Sequence, residues 1–419
     1  FLSHASLSAE ERRRSEQAFA EARNCVIVST STLELGIDVG DLDRVIQINA
    51  PATVAAFLQR LGRAGRRAGA TRNCLFLALN ANSLLQAAGL LLVWSKGWVE
   101  PVIAPPSPRH LSAQQILALC LQEHRVGERL WPQWWNGLDP FGTDSEVVRH
   151  LITEGYLSSD DGMLFIGPEA ERRFGRRHFM EMTSVFTAPS EFTVITGRAD
   201  LGRVDPALLS EEVIGPRLLL LGGRSWRVTH IDWSRRRCFV EPTDSGGKAR
   251  WSGGGVAGLS YQVTRAMRDV LLGTDPSVQL TRRAQRELAS VREEKASTAD
   301  ADRTVIRRVN NDVRWWTWAG FRANATLLAT IGELAHPSRR FHDSHVSLRE
   351  DLTYEMWRSG MNDIAEHLRL PHIDERALDG LKFSAALPRH IAIDTLASRL
   401  ADRDAALRVL AEPISHMTS

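Results

Sequence analysis

The chain has 419 residues, 43% of them hydrophobic and 24% charged, with a formal net charge of +2. Such a composition suits a soluble globular protein of about three domains at ~100–200 residues each, and excludes an intrinsically disordered chain. It also excludes a bilayer-spanning helix, since the longest apolar stretch, Ala81 to Trp94, is interrupted by Asn82, Ser83 and Gln86. The first residues, Phe1 and then Glu10, Glu11 and Arg12 to Arg14, do not have the form of a signal peptide. A cytoplasmic fragment or a truncated reading frame is the expectation. Cys25, Cys74, Cys120 and Cys238 form no CxxC pair, so neither a zinc knuckle nor a disulfide framework is expected.

Over residues 1–100 strand and helix patterns alternate. Cys25 to Thr30 reads as a short buried strand and Arg44 to Ile48 as a second. Thr53 to Arg67 carries Val54, Phe57, Leu58 and Leu61 at helical spacing, and Cys74 to Leu79 follows as a third strand. Short strands separated by helices predict half of an open α/β sheet. Pro101 to Pro108 then marks a boundary. Leu111 to Gln122 and Ser145 to Glu154 read as helices, followed by Tyr156 to Ser158, a turn at Asp160-Asp161-Gly162 and Met163 to Ile166. That order is the pattern of a winged helix, or of any small helical domain with a hairpin. From Phe186 to Val263 short strands recur (Phe192 to Ile195, Leu218 to Leu221, Trp226 to Val228, Cys238 to Val240), predicting a small β-barrel or sandwich. From Thr264 onward helical patterns dominate, with Arg282 to Lys295 a charged, solvated helix.

The sharpest motif is Gln59-Arg60-Leu61-Gly62-Arg63-Ala64-Gly65-Arg66. Within one helical segment, arginines three residues apart share a face and can converge on one anionic target such as a triphosphate. A merely solvated basic face would leave Gln59 and the regular glycines without a purpose. About 20 residues upstream, Val28 to Asp38 places Ser29, Thr30, Ser31 and Thr32 ahead of Gly36 and Asp38. Hydroxyls and free amides at a strand-to-helix junction bind phosphate oxygens well, although an ordinary Ser/Thr cap has the same appearance.

Together these motifs resemble the second RecA-like domain of superfamily 2 helicases, and the chain as a whole resembles the Lhr (large helicase-related) branch. Ser29 to Asp38 matches motif V and Gln59 to Arg66 matches motif VI in its QRxGRxGR form; His4 to Ser8 is similar to the HHGSLS segment, with Ala5 for the usual glycine. Later blocks carry the likeness to the Lhr branch: Arg176 to Glu181, Phe192 to Val194, Trp226 to Val228, Trp315 to Gly320 with Ala323 to Ala325, and Leu381 to Ser384. The resemblance implies a multidomain α/β plus α+β protein. Its parts would be a partial RecA-like open sheet (1–100), a winged helix (101–175), a small β-barrel-like module (176–275) and a mainly helical C-terminal region (276–419).

It further implies that Arg63 and Arg66 are arginine fingers on the γ-phosphate of ATP, with Gln59 beside the cleft. Gly36, Asp38 and Arg60 would lie near the nucleotide, and Ser29 to Thr32 would hold the backbone of a translocating single strand. The partners implied are single-stranded DNA or an RNA:DNA hybrid, and a first RecA-like domain supplied in cis or in trans. A P-loop needs Gly-Lys-[Ser/Thr], and of Lys96, Lys248, Lys295 and Lys382 only Lys248 follows a glycine, and it precedes Ala249. The ATP and Mg²⁺ sites of that first domain are therefore expected outside these residues, and the chain alone is expected to be inactive. Two other readings stand beside this one: a stand-alone, non-catalytic nucleic-acid binder, and one half of a split motor.

Residues 172–250 hold 14 Arg/Lys against 9 Asp/Glu, a basic excess on a nearly neutral chain. Cations with interleaved indoles suit single strands, whose phosphates they neutralise and whose bases they stack. Trp251, between Arg250 and Ser252-Gly253-Gly254-Gly255, is the preferred stacker, while Trp226 and Trp233 alternate with Val228 and Ile231 and read as core. Arg235 and Arg236, in the run Arg235-Arg236-Arg237, read as phosphate contacts ahead of a charged turn. Burial is expected for Trp315, Trp316 and Trp318, Trp134-Trp135 stays undecided, and His342-x-x-His345 lacks a third ligand. No metal site is expected.

Overall fold

The computed structural model describes residues 1–4, 6–30, 42–65, 69, 71–137, 145–175, 178–187, 191–210, 215–244, 246 and 258–417. The chain divides into two compact units. The first comprises Phe1–Glu100, Pro189–Ala257 and Asp275–Val291, and the second Pro101–Ala188, Gly258–Thr274 and Arg292–Ser419.

The chain opens with β1 (Leu2–Ser3), α1 (Ala9–Glu21) and β2 (Val28–Ser29), with β1 and β2 paired in parallel. Ser8 caps α1, its Oγ accepting from the Glu11 amide at 3.2 Å. Next come β3 (Val45–Ile48), α2 (Val54–Leu61), β4 (Cys74–Leu77) and α3 (Ala81–Ser95). β3 and β4 pair in parallel, a crossover through α2 of the kind that builds open α/β sheets. One face of this pair packs under α2 and α3, where the Phe57 ring lies 5.3 Å from Phe76 and 5.4 Å from Trp94. On the other face Ile46, Ile48, Leu75 and Leu77 are exposed. The expected buried strand over Cys25 to Thr30 is corrected on both counts. Only Val28–Ser29 is a strand, and Val26 and Val28 stand in solvent, with no layer of the described residues over them.

After residues 101–108, which hold no helix or strand, the second unit begins with α4 (Arg109–Glu123), β5 (Val126–Gly127), α5 (Trp131–Trp134), α6 (Ser145–Thr153), β6 (Leu157–Asp160), β7 (Met163–Ile166) and α7 (Pro168–Phe174). A three-stranded sheet in the order β5-β7-β6 shares one core with α4 and α6, through Ile116, Leu117, Val147, Leu151 and Leu164. Trp131 is buried, Trp135 partly so against it, and Trp134 is exposed.

The first unit resumes with β8 (Phe192–Thr196), β9 (Ala199–Val204), α8 (Pro206–Ser210), β10 (Leu218–Leu221), β11 (Arg224–Asp232) and β12 (Arg237–Thr243). Its five-stranded sheet has the order β10-β11-β12-β8-β9 and is open among the described residues, with β12 and β8 parallel. The His4–Ser8 segment docks on the outer strand: Leu7 bridges Gly202, Arg203 N donates to Ser6 O at 2.6 Å and Ser8 N to Leu201 O at 3.2 Å. A Cβ on Gly202, whose φ is +141°, would stand 1.8 Å from Ser6 O, so only glycine permits this approach.

The remainder holds α9 (Tyr261–Leu271), α10 (Arg282–Lys295), β13 (Thr304–Val309), β14 (Asp312–Trp316), α11 (Phe321–Thr330), β15 (His345–Leu348), α12 (Tyr354–Gly360), α13 (Arg389–Leu400), α14 (Arg403–Ala411) and β16 (Ile414–Met417). A four-stranded sheet, β15-β14-β13-β16, therefore lies where the helical pattern is expected to dominate. The physical signal is local: Asn310 at φ 54° turns two β-rich runs into a hairpin. The expected burial of the tryptophan cluster is corrected in part. Trp315 and Trp318 are buried, but Trp316 lies on the opposite face of its strand and is only half-buried, as the two-residue period of a strand requires.

Candidate functional site

The site is built around α2. Thr53 caps it, with Oγ1 accepting from Ala56 N at 3.1 Å. The Glu100 carboxylate takes the next two amides, Val54 N at 2.9 Å and Ala55 N at 3.0 Å. A carboxylate at the positive end of a helix stabilises it by ~0.3–1 kcal/mol and fixes its direction. Val54, Phe57 and Leu61 are buried, which turns Gln59 to the exposed side.

The three-arginine face is corrected by the end of this helix. α2 stops at Leu61, and Gly62, its C-cap, donates to Leu58 O at 2.8 Å. The chain then tightens, with Arg63 N to Arg60 O at 3.0 Å and Ala64 N to Leu61 O at 3.1 Å. Ala64 is fully buried and bridges Leu42, whose N donates to Arg63 O at 3.2 Å and whose O accepts from Gly65 N at 3.1 Å. Gly65 has φ +65°, and a Cβ there would meet the backbone of Thr71 and Arg72 at 2.7–2.9 Å. Gly65 thus has a conformational duty, and the turn holding Arg63 is clamped at the amino end of β3. Arg63 is half-buried in that turn, and Arg66 lies outside the described residues.

Arg60 is held inward. Its Nη1 donates to Gln47 Oε1 at 2.8 Å, and the buried Gln47 donates through Nε2 to the carbonyls of Ile48 at 3.1 Å and Asn49 at 2.8 Å. Burial pushes the nearby Cys74 thiol up to about 11, with the Arg60 charge pulling the other way. Gln47 and Glu100 are the supports that the sequence reading missed. The available signal for Gln47 was an amide in the middle of an apolar strand, and for Glu100 a carboxylate just before the proline-rich stretch.

Ser29 closes β2, and its Oγ donates to Thr30 O at 2.9 Å. Thr30 is exposed, while Ser31, Thr32, Gly36 and Asp38 lie outside the described residues. On the five-stranded sheet the β11–β12 connection carries Arg235 and Arg236. Asp232 shapes this turn, its Oδ1 accepting from Ser234 Oγ at 2.7 Å and from Arg235 N at 3.0 Å. The Ser234 hydroxyl and then the Arg235 amide hold its carboxyl below the usual range. Arg236, at φ 50°, and Arg235 both project outward in solvent-facing positions. Trp226 is buried as expected, with Nε1 donating to Leu221 O at 2.9 Å. Trp233, expected in the core, is instead 53% exposed. It sits at the strand end, edge-on to Phe192 at 5.0 Å, where the core has run out of depth. Arg250 and Trp251 lie outside the described residues. Among the described residues no group of three or more His, Cys, Asp or Glu could hold a metal ion, and no helix is long and apolar enough to cross a membrane.

The helicase conserved C-terminal domain matches residues 2–68. The Lhr helicase/probable uracil glycosylase of Mycolicibacterium smegmatis is 29% identical over 60% of this chain and 18% of its own length. The Lhr helicase/uracil glycosylase of Escherichia coli is 28% identical, over the same two shares. The ATP-dependent helicase Lhr-Core protein 2 of Thermococcus barophilus is 26% identical over 58% of this chain and 29% of its own. This chain therefore spans less than a third of the relatives it matches. Among solved structures, Mycobacterium smegmatis helicase Lhr bound to ssDNA and AMP-PNP has a similar fold, with a TM-score of 0.62 and 19% identity over 99% of this chain and 60% of that one.

Proposed function

Because the chain belongs to the Lhr family of superfamily 2 helicases and corresponds to their C-terminal portion, we propose that it supplies the second motor half and the strand-holding surface of an ATP-dependent, single-strand-translocating helicase. The observation that carries this reading is the clamped turn after α2. Arg60 is anchored on Gln47, Gly65 is locked against Leu42, and Gln59 is left exposed at the start of the turn that bears Arg63. Folding alone needs no such fixed presentation of a guanidinium and an amide.

The donor set fits phosphate oxygens, since Gln59, Arg63 and Arg66 bring N–H donors and no carboxylate. When bound with Mg²⁺, ATP supplies the free energy of phosphoryl transfer. Arg63 and Arg66 stabilise negative charge on the transferring group, Gln59 orients at the cleft, and Arg60 holds the turn in register for them. Gly36 and Asp38 complete the nucleotide side. Ser29, Thr30, Ser31 and Thr32 hold the strand backbone, and Arg235, Arg236, Arg250 and Trp251 extend that track over the β module. A single strand of DNA or an RNA:DNA hybrid is the partner. In this reading residues 1–100 are the RecA-like half, 101–175 a winged helix, 176–275 the β-barrel-like module and 276–419 the Lhr-type C-terminal region.

The bare face of Ile46, Ile48, Leu75 and Leu77 supports a motor half over a stand-alone binder, because parallel sheets are covered on both faces. The test is ATP hydrolysis. Residues 1–419 alone should stay at background, and turnover should appear when a Walker-bearing first RecA-like domain is supplied. Strand binding with no hydrolysis under either condition would leave the non-catalytic binder.

A further inference from the structure

The four-stranded sheet of the second unit buries Ile306, Val313, Trp315, Val346 and Leu348 in a core. The alternate residues face away from that core. Arg307 and Val309 of β13 with Asp312, Arg314 and Trp316 of β14 line a concavity of about 230 Å³. Arg307 and Arg314 are directly opposite each other across the antiparallel ladder. Like charges so placed oppose strand pairing. The relief available is partial: Arg307 hydrogen-bonds to the neutral Ser297 hydroxyl, and Arg314 pairs with Asp312 at 2.5 Å. Asp312 thus pairs with Arg314, Arg307 has a neutral partner, and the Arg314 side chain remains 41% exposed.

Beside them lies an aromatic floor. The Trp316 ring stacks on Trp318 at 5.8 Å and 28°, lies 4.7 Å from the His345 ring, and has the Arg314 guanidinium 6.0 Å from its centroid. His345 is neutral at ordinary pH, since burial, then Arg314 and His342, push it down to about 4. The ring therefore offers a flat neighbour and leaves the positive charge to the arginines.

We propose that this sheet face is a second single-strand-binding platform, on which Arg307 and Arg314 share one backbone phosphate and Trp316 stacks against the adjoining base. A sheet surface with an aromatic ring and flanking cations is suited to unpaired bases, whose faces a duplex hides. An acidic protein surface would satisfy the arginines but would leave the aromatic floor unused. The inference rests on the reading that this chain holds a nucleic-acid strand, and adds a contact in the unit that does not contain Arg235 and Arg236.

The test uses the full chain with dye-labelled oligothymidylate and, separately, oligouridylate, followed by fluorescence anisotropy at a series of salt concentrations. Trp316→Ala should weaken binding about tenfold, the order expected for one lost base stack, and Trp316→Tyr should restore most of it. Arg307→Gln should flatten the salt dependence of log K by about 0.7, as expected for one phosphate contact on a single strand. Arg307 is only half-buried and glutamine can keep a hydrogen bond to Ser297, so this arm holds even where Trp316→Ala fails to fold. If the unaltered chain binds, Arg235→Gln/Arg236→Gln weakens it, and both Trp316→Ala and Arg307→Gln leave affinity and slope unchanged, the platform is refuted while the functional reading stands. If the unaltered chain binds neither oligonucleotide, both fall together.

Discussion

Two sheets in this chain each have one packed face and one that is at least partly open, and the open surfaces are chemical opposites, although the second is closed at its Val305 end. The β3–β4 pair shows Ile46, Ile48, Leu75 and Leu77 to solvent, whereas the C-terminal sheet shows Arg307, Arg314 and a half-buried Trp316. An apolar face gains from being covered by another apolar layer, so the first calls for protein. A cationic face with an aromatic floor gains little from such a layer and much from phosphates and bases, which is why we propose a strand for the second. The difference teaches that an open sheet face asks for different cover according to its side chains, an apolar layer in one case and an anionic, flat-ringed ligand in the other.

The comparison can be broken at several points. The largest effect is expected where the apolar face is covered: with a Walker-bearing half supplied, Arg63→Ala should lower the ATP turnover number by about 10³-fold or more. A turnover unchanged by that substitution would remove Arg63 from the phosphate site. The next concerns the packed side of the second sheet. Trp315, fully buried with Nε1 on Thr304 Oγ1 at 2.9 Å, should cost ~3–5 kcal/mol on replacement by Ala in urea denaturation. Trp316→Ala should cost clearly less than its neighbour, and equal costs would mean that the two faces are not distinct.

A pH effect of roughly 1–3 kcal/mol belongs to the same unit. Burial first, then neighbouring cations, lower His110 and His345 from 6.5 to about 4. The unfolded imidazoles take protons near 6.5 and the folded ones only near 4, so acid favours unfolding. This stability is fully present above about pH 6.5 and is lost as the pH falls towards 4. Denaturation series at pH 7 and pH 5 should show the loss, and His345→Gln should reduce it. The smallest effect is expected on the bare apolar face, where Ile48, 58% exposed, is replaced by Asp. Stability of the isolated chain should change by no more than ~0.5 kcal/mol while the ATPase assembled with the first domain is lost. A large drop in melting temperature would mean that this face is already covered.

Much of the site could be read from residue types. The spacing of Gln59, Arg60, Gly62, Arg63 and Gly65 announces a tight, arginine-bearing turn, which the structure holds between α2 and the Leu42 backbone. The hairpin at Asp160–Gly162 and the strands at Phe192, Trp226 and Cys238 were equally legible from alternation and turn residues. What misled was periodicity carried too far. Thr53 to Arg67 keeps helical spacing on paper, yet Gly62 ends the helix and the Leu42 backbone captures the rest. Likewise Trp233 alternates with core residues but sits where its sheet ends.

By itself the sequence determined the chemistry available: a basic middle region, four lysines of which none serves a P-loop, and the motif VI order of donors. These follow from composition and local spacing, which no folding step can alter. Only the tertiary structure decided direction. It turned Arg60 inward to Gln47, seated α2 on Glu100, and sorted Trp315 from Trp316. It also left one sheet with an exposed apolar face and another with a partly open cationic one. The physical reason is that which way a side chain points depends on partners far away in the chain, and those partners meet only when the backbone has folded.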